Sequence, residues 1–418
     1  MTIDEALKQL AALITPTRQS ETVEVSTSLG RVVASDTRSP VSVPAFANSA
    51  MDGYAVRFAD LSPADPTELS IQGQSLAGHP FDAELLPHHA IRIFTGAALP
   101  RGADTIVIQE NTRPGKEQHI VINERPKEGA YVRPIGHDVS QDSLLLPIGT
   151  RMRAFEIASA TTSGLTDVEV YKPIRVGVFA TGDELRVPGT PLAMGEIYES
   201  NRIAITQLLK GLPLSITDLG ILPDTADGTR QALHSASLDQ DALITSGGVS
   251  VGDADFVRGA IAELGSIDFW RLNLRPGKPF AFGHLSTNNL STSDLSTNEE
   301  GQCLIFGLPG NPVSTIVTLL LLVKPALWHM AGCQPTAPQI VRVPLAQRVS
   351  HSPGRNEYQR GRLEPSANGS VVTTTSDQSS NRLQSFASAN CLFLVPGEVA
   401  EIEAGELVDV LLFEGLTW

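Results

Sequence analysis

The stretch Asp241-Ala-Leu-Ile-Thr-Ser-Gly-Gly-Val-Ser-Val-Gly-Asp-Ala-Asp255 decides how the chain is read. Ala242, Leu243 and Ile244 make a short apolar run of the kind found in a buried strand. The run ends in Thr245, Ser246 and a glycine-rich turn, and Asp253 and Asp255 follow. Small residues at Gly247, Gly248, Ser250 and Gly252 let backbone N–H groups come close to an anion. The carboxylates cannot bind that anion themselves, but they can hold a Mg²⁺ ion that does. Strand, glycine loop and acid together predict a site for a phosphorylated ligand.

Outward from this loop, strand and helix patterns alternate. Ile174-Arg-Val-Gly-Val-Phe-Ala180 reads as a strand, residues 201–210 as an amphipathic helix, and residues 215–221, 241–244 and 303–306 as further strands. Such alternation predicts a doubly wound parallel sheet with helices on both faces. Ligands of open α/β sheets sit beyond the carboxyl ends of the strands, and three more segments fall there. Phe179-Ala-Thr-Gly-Asp-Glu-Leu185 supplies Asp183 and Glu184, which either bind metal or cap the next element. Leu274-Arg-Pro-Gly-Lys-Pro-Phe280 sets Arg275 and Lys278 on either side of a Pro-Gly turn. Two cations so placed suit an oxyanion, the alternative being a solvated turn. Phe306-Gly-Leu-Pro-Gly-Asn-Pro-Val-Ser-Thr315 ends a strand in a tight turn and starts a helix near Pro312. The free N–H groups of a helix start attract anions, although the motif also reads as a plain strand-to-helix turn.

Gly248-Val-Ser-Val-Gly252 also matches the nucleophile elbow of serine hydrolases. That elbow needs a strand running straight into the first glycine and a helix leaving straight after the second. Thr245-Ser-Gly precedes the motif and Asp253-Ala-Asp follows it, and His284, His329 and His351 lie in no supporting motif. A hydrolase is therefore disfavoured.

At 418 residues the chain is long enough for about two to four domains. Hydrophobic residues at 41% and charged residues at 18% fit a packed globular protein, and a net charge of −15 argues against a nucleic-acid partner. Cys303, Cys333 and Cys391 lie far apart, so neither a disulfide framework nor a structural zinc site is expected. The acidic N-terminus lacks an apolar signal core, and the greasy run at 316–323 stops at Lys324-Pro325, too short to span a bilayer. A soluble, cytoplasmic protein is expected.

Thr2-Ile-Asp-Glu5 is a capping-box pattern before Leu7, Leu10, Ala11 and Ile14 at helical spacing, and Pro16 closes the helix. Val23, Val25, Val32 and Val33 read as short strands around Gly30. From 46 to 139 short alternating runs such as Thr105-Ile-Val-Ile108 point to an all-β unit, and residues 154–160 return to helix. Within the β-unit, Asn48-Ser-Ala-Met-Asp-Gly-Tyr-Ala-Val56 carries a turn at Asp52-Gly53, and Thr95, Arg133 and Asp138 follow. Residues 285–300 are polar and repetitive and read as a surface loop. Residues after 338 are strand-like and punctuated by Gly and Pro. The fold expected is multi-domain α/β plus β. Residues 1–44 and 140–172 would form a split helical domain, 45–139 an inserted β-domain, 173–330 the α/β domain and 331–418 a small C-terminal β-barrel or sandwich.

Six pieces, in chain order, resemble the molybdopterin molybdenumtransferases, a family whose eukaryotic relatives include the gephyrin E domain. They are Asn48-Ser-Ala-Met-Asp-Gly-Tyr-Ala-Val56, Thr181-Gly-Asp-Glu-Leu185, Ser246-Gly-Gly-Val-Ser-Val-Gly-Asp-Ala-Asp255, Arg275-Pro-Gly-Lys-Pro279, Gly307-Leu-Pro-Gly-Asn-Pro-Val-Ser314, and Pro353-Gly-Arg with Gln359-Arg-Gly361. The resemblance implies a Mg²⁺-dependent transferase that inserts molybdate into adenylylated molybdopterin with release of AMP, the last general step of molybdenum-cofactor synthesis. It implies a homodimer whose site is shared between the α/β domain of one subunit and the β-unit of the other. It assigns catalytic roles to Asp52, Glu184, Asp224 and Asp255, with Asp52, Glu184 and Asp255 at the metal. Substrate would be bound by Thr95, Arg133, Asp138, Ser246, Gly247, Gly248, Ser250, Arg275, Lys278, Pro309, Gly310, Asn311, Ser314 and Arg355. The sequence departs from the family pattern at Arg275, where lysine is common, at His137, and at Pro134-Ile135, which replaces a more basic stretch. A scaffold that keeps the fold without turnover and an adenylyltransferase-like relative are the competing readings. Intact Asp52 and Asp255 argue against the first, and the extra β-units argue against the second.

Overall fold

The computed structural model describes residues 1–64, 66–248, 256–286, 302–334, 339–367, 369–375 and 377–413. Helix α1 (Ile3–Leu13) begins in the expected capping box, with the Thr2 hydroxyl accepting from the Glu5 N–H and the Glu5 carboxylate accepting from the Thr2 N–H. The helix ends at Leu13, ahead of Pro16. Its apolar face, Ala6 and Leu10 with Ile14 beyond the helix end, joins the core of the α/β unit. Residues after it form a separate small core with residues 146–170, built from Val25, Val33, Leu146, Met152, Ala160, Val168 and Val170. Ser20–Glu24 pairs there with Asp167–Tyr171, and helix α2 (Ala154–Thr162) packs alongside. Val32 and Val33 make isolated bridges rather than the expected strand.

Strands β1 (Gly53–Val56), β2 (Thr67–Ser75), β3 (His89–Ile93), β4 (Thr105–Ile108), β5 (Thr112–Pro114) and β6 (His119–Ile122) form one six-stranded sheet in the order β4-β1-β3-β2-β6-β5. Gly53 is obligatory in it, since a Cβ there would stand 2.0 Å from the Val107 carbonyl oxygen.

The α/β unit follows as β7 (Ile174–Ala180), α3 (Asn201–Leu208), β8 (Leu214–Ile221), α4 (Ala226–Asp239), β9 (Ala242–Ser246), α5 (Phe256–Leu264), β10 (Gly265–Arg271), β11 (Pro279–Ser286) and β12 (Gln302–Leu308). Sheet order is β8-β7-β9-β12-β11-β10. The first four strands are parallel, as expected, but β11 is antiparallel to β12 and to β10. A hairpin of Phe269, Trp270, Phe280 and Phe282 therefore closes one edge. Alternate residues serve opposite faces: Val176, Val178, Ile244 and Phe306 face one core, while Phe179, Leu243 and Ile305 face the other. At the lower end Asp241, 1% exposed, binds the Arg175 guanidinium at 2.8 Å.

After β12 comes α6, running from Pro312–Thr318 through a π turn at Leu319–Val323 to Lys324–Met330. Pro325 lacks the N–H that an α-helix would aim at residue 321, which accounts for the wider turn. The greasy run at 316–323 thus belongs to a 19-residue helix, long and apolar enough to cross a membrane, with 83% of its 18-residue window buried inside this protein. It is a core helix.

The C-terminal sheet comprises β13 (Ile340–Pro344), β14 (Asn356–Ser366), β15 (Gly369–Thr374), β16 (Cys391–Val395) and β17 (Leu407–Leu412) around its own core. The two-residue strand Leu274–Arg275 of the α/β unit joins its edge, pairing parallel with β14 so that Arg275 lies beside Glu357.

Candidate functional site

The carboxyl ends of the central strands are level, since Ala180 pairs with Ser246 and Ser246 with Leu308. The loops that leave them open into a cleft of about 680 Å³. Gly247 and Gly248 line it after β9, Pro309, Gly310, Asn311 and Ser314 after β12, and Arg275, Pro276, Gly277 and Lys278 before β11. The C-terminal unit adds Arg355, Gln378, Ser379 and Ser380. Nine of the residues assigned to substrate by resemblance therefore meet in one place: Gly247, Gly248, Arg275, Lys278, Pro309, Gly310, Asn311, Ser314 and Arg355.

Local sequence explains the walls. Gly247 and Gly248 have φ of +88° and +66°, and a Cβ on Gly248 would stand 2.6 Å from Thr181 Oγ1. Gly277, at φ +119°, leaves no more room, because its Cβ would be 2.6 Å from Thr318 Oγ1. Asn201, the first residue of α3, ties two loops together by donating from Nδ2 to Ser246 Oγ and to the Gly310 carbonyl, each at 2.7 Å. Ser246 thus supports the loop as Asn201's acceptor and is not among the lining residues. At the start of α6 the Val313 N–H is already taken by the Ser380 carbonyl at 3.1 Å. The helix start therefore offers less than the sequence suggested, and Ser314 is the helical residue on the cleft.

The cleft is cationic in a chain of net charge −15. Arg355 donates from Nη1 to the Leu274 carbonyl at 3.3 Å, and Lys278 makes no ion pair or side-chain hydrogen bond among the described residues. Arg275 Nε lies 3.7 Å from Glu357 Oε1. Glu357 is buried, and its other oxygen faces His351 Nδ1 at 3.2 Å. The negative charge behind Arg275 keeps the guanidinium at the cleft wall while leaving its remaining donors available.

Asp52, Thr95, Arg133 and Asp138 belong to the β-unit and do not line this cleft. Asp52 Oδ1 accepts from both the N–H and the hydroxyl of Thr95. These bonds, with the charge of Arg92, hold its carboxyl below the ordinary range. Arg133 is exposed on a two-residue strand opposite Asn48, and the Asp138 N–H donates to the Val43 carbonyl at 2.9 Å. Glu184 and Asp224 meet elsewhere. Burial, then the charges of Asp183 and Glu184, raise the Asp224 carboxyl. Massed like charge of this kind suits a cation, although no three His, Cys, Asp or Glu side chains among the described residues converge on a metal position. Ser250, Asp253 and Asp255 lie outside the described residues, as do residues 287–300 of the polar loop.

Sequence reading missed Asn201, Glu357, Gln378, Ser379 and Ser380. Asn201 looks like an ordinary helix residue, and the 377–380 stretch like a plain polar turn. Nothing local marks either as facing a ligand.

Family models match along the chain: the MoeA N-terminal region (domain I and II) at residues 1–164, a probable molybdopterin binding domain at 177–329, and the MoeA C-terminal region (domain IV) at 342–413. A molybdopterin molybdenumtransferase of Haemophilus influenzae is 36% identical over 100% of this chain and 99% of its own length. The chain belongs to the molybdopterin molybdenumtransferase family. A molybdopterin molybdenumtransferase of Nostoc is 34% identical over 94% of this chain and 89% of its own length. Gephyrin of Dictyostelium discoideum is 31% identical over 98% of this chain, which spans 62% of gephyrin. The crystal structure of the molybdopterin biosynthesis moeA protein of Pyrococcus horikoshii OT3 matches with a TM-score of 0.81 at 26% identity, covering 99% of both chains. The chain is thus a transferase of molybdenum cofactor biosynthesis, and the cleft lies in the unit that matches the probable molybdopterin binding domain and at its border with the C-terminal sheet.

Proposed function

We propose that this molybdenumtransferase inserts molybdenum from molybdate into adenylylated molybdopterin and releases AMP, with Mg²⁺ required. The observation that carries this reading is the convergence of Arg275, Lys278 and Arg355 on glycine- and proline-rich strand ends. Cations there suit a tetrahedral oxyanion, and open backbone N–H groups suit phosphate. In the reaction an oxygen of molybdate or of water attacks the adenylyl phosphorus. The bond from that phosphorus to the bridging oxygen breaks, and the molybdopterin phosphate keeps the bridging oxygen. Where water attacks, AMP leaves directly, and the two dithiolene thiols of molybdopterin bind molybdenum while one molybdate oxygen departs as water with their protons. Where a molybdate oxygen attacks, the two sulfurs displace AMP from molybdenum together with that oxygen, and the thiol protons pass to AMP and solvent. Arg275, Lys278 and Arg355 hold the oxyanion, while Gly247, Gly248 and Ser314 border the phosphate. Mg²⁺ when bound would neutralise the diphosphate, held by Asp52, Glu184 and Asp255 with Asp224 beside them.

Asp52 and Thr95 stand on the β-unit, apart from the cleft lining, which supports a site completed by a second copy of the chain. Asp52, Thr95, Arg133 and Asp138 of that copy would then face the acids of the first. The test is direct. Purified protein given adenylylated molybdopterin, Mg²⁺ and molybdate should release AMP and yield metallated cofactor. Substrate that binds with no AMP release would overturn the catalytic reading. Competition between molybdate and tungstate in the same assay identifies the preferred oxyanion, since the two are close in size and charge.

A further inference from the structure

Arg360 is the largest fully buried side chain among the described residues, at 0% exposure, and the reaction above gives it no direct role. It lies on β14 with no carboxylate at ion-pair distance among the described residues. Dipoles answer its charge instead. Nη1 donates to the Gln378 carbonyl at 3.1 Å, Nη2 to the Asp377 and Ser379 carbonyls at 3.1 Å each, and Nε to Ser385 Oγ at 3.0 Å. Gln378 answers in turn: its Oε1 accepts from the Arg360 N–H at 2.9 Å and its Nε2 donates to the Arg360 carbonyl at 3.0 Å. Burial lowers the guanidinium to about 10, so it is charged at neutral pH.

Three gathered carbonyls have a geometric consequence. In a trans peptide the carbonyl and the next N–H point opposite ways, and the peptides at 377–380 are not among the cis bonds of the chain. With the carbonyls of Asp377, Gln378 and Ser379 turned onto Arg360, the N–H groups of Gln378, Ser379 and Ser380 face away from it. Asp377 Oδ1 takes the Ser379 N–H at 2.8 Å. The N–H groups of Gln378 and Ser380 have no partner among the described residues, and both residues line the cleft. The Ser380 carbonyl, bonded to the Val313 N–H, fixes the far end of the loop to α6.

We propose that Arg360 is a positioning residue for the oxyanion substrate: by drawing three carbonyls inward it presents the Gln378 and Ser380 N–H groups to a tetrahedral oxyanion in the cleft. The inference rests on the reading of that substrate as molybdate. Its effect falls on oxyanion binding and spares the nucleotide end of the other substrate.

Arg360→Lys keeps the charge and loses the planar fork. The expected result is a KM for molybdate raised about tenfold or more, with kcat and the KM for adenylylated molybdopterin within about twofold of the unaltered chain. Calorimetric titration with molybdate alone should show the same weakening. An unchanged molybdate KM overturns the proposal. So does an even loss of kcat and of affinity for both substrates with a lowered melting temperature, which marks a merely structural role. If Arg360→Lys does not fold, Gln378→Met removes the amide clamp on the Arg360 backbone and should raise the molybdate KM selectively; an unchanged value there overturns the proposal equally. An unaltered chain that neither binds nor turns over molybdate defeats the functional reading itself, a failure seen before any variant is made.

Discussion

Asp52 Oδ1 accepts two hydrogen bonds from Thr95, one from its N–H and one from its hydroxyl, both at 2.8 Å. The bonds favour the charged carboxylate, so Asp52 stays ionised below the usual carboxylate range. Their contribution to stability is present above the unfolded-state value and is lost as pH falls through the lowered one. Thr95→Val deletes the hydroxyl bond and keeps the N–H. The Asp52 carboxyl should then titrate at higher pH by carbon NMR, and the acid limb of the pH–rate profile should move up with it. A limb that stays in place would detach Asp52 from the chemistry.

Asp224 carries the opposite sign. Burial and the neighbouring charges of Asp183 and Glu184 raise its carboxyl. The fold therefore favours its protonated form and is weakened by this group as pH rises through the raised value. Asp224→Asn should raise the melting temperature of the metal-free chain at neutral pH. It should also shrink the further rise caused by added Mg²⁺, measured by scanning calorimetry with and without the ion. An equal Mg²⁺ response in both proteins would remove Asp224 from the metal side.

The parts of the site written in contiguous motifs were legible before the structure. Gly247-Gly248 and Pro309 to Ser314 each follow a strand signal, Arg275 to Lys278 stands out by its two cations around a Pro-Gly turn, and glycine or proline fixes each turn whatever surrounds it. Arg355 was reached through resemblance, and nothing in its spacing demanded it. The C-terminal wall was not legible, because its orientation depends on Arg360 reaching backbone carbonyls across a turn, and carbonyls carry no residue identity. The fold shows the same division. Parallel strands β7, β9 and β12 announce themselves as apolar runs, whereas β10 mixes polar residues into an edge strand, and β11, antiparallel to it, escapes a search for α/β alternation. The docking of α1 on the α/β core was also hidden, since an amphipathic face does not name its partner.

Asn201 is the strut that sequence reading passed over. Asn201→Ala removes both 2.7 Å bonds, leaving Ser246 Oγ and the Gly310 carbonyl without this donor. A loss of about 1–3 kcal/mol is expected in urea unfolding, with a raised KM for adenylylated molybdopterin because the two loops are no longer tied. An unchanged KM beside lowered stability would confine Asn201 to folding.

Gly248→Ala tests the glycine cradle. At φ +66° an alanine is strained, and its Cβ would press to 2.6 Å from Thr181 Oγ1 and 2.7 Å from Val257 Cγ2. Destabilisation of about 1–3 kcal/mol is expected, together with weaker binding of adenylylated molybdopterin by calorimetry. Normal binding in the alanine variant would show that this stretch of backbone does not cradle the phosphate.

A site shared between two copies makes a prediction that no single variant can. In the proposed homodimer, Asp52→Asn and Arg355→Ala would each damage every site, one from the β-unit and one from the cleft. In a mixed dimer one of the two sites receives an intact Asp52 and an intact Arg355, and the other receives both defects. Unfolding and refolding the two variants together, in equal amounts, should restore about a quarter of normal AMP release, as random pairing of a two-fold dimer requires. Each variant refolded alone should remain inactive. No recovery from co-refolded protein, with hybrid dimers confirmed by mass spectrometry, would place Asp52 and Arg355 in the same site of one chain and end the shared-site reading.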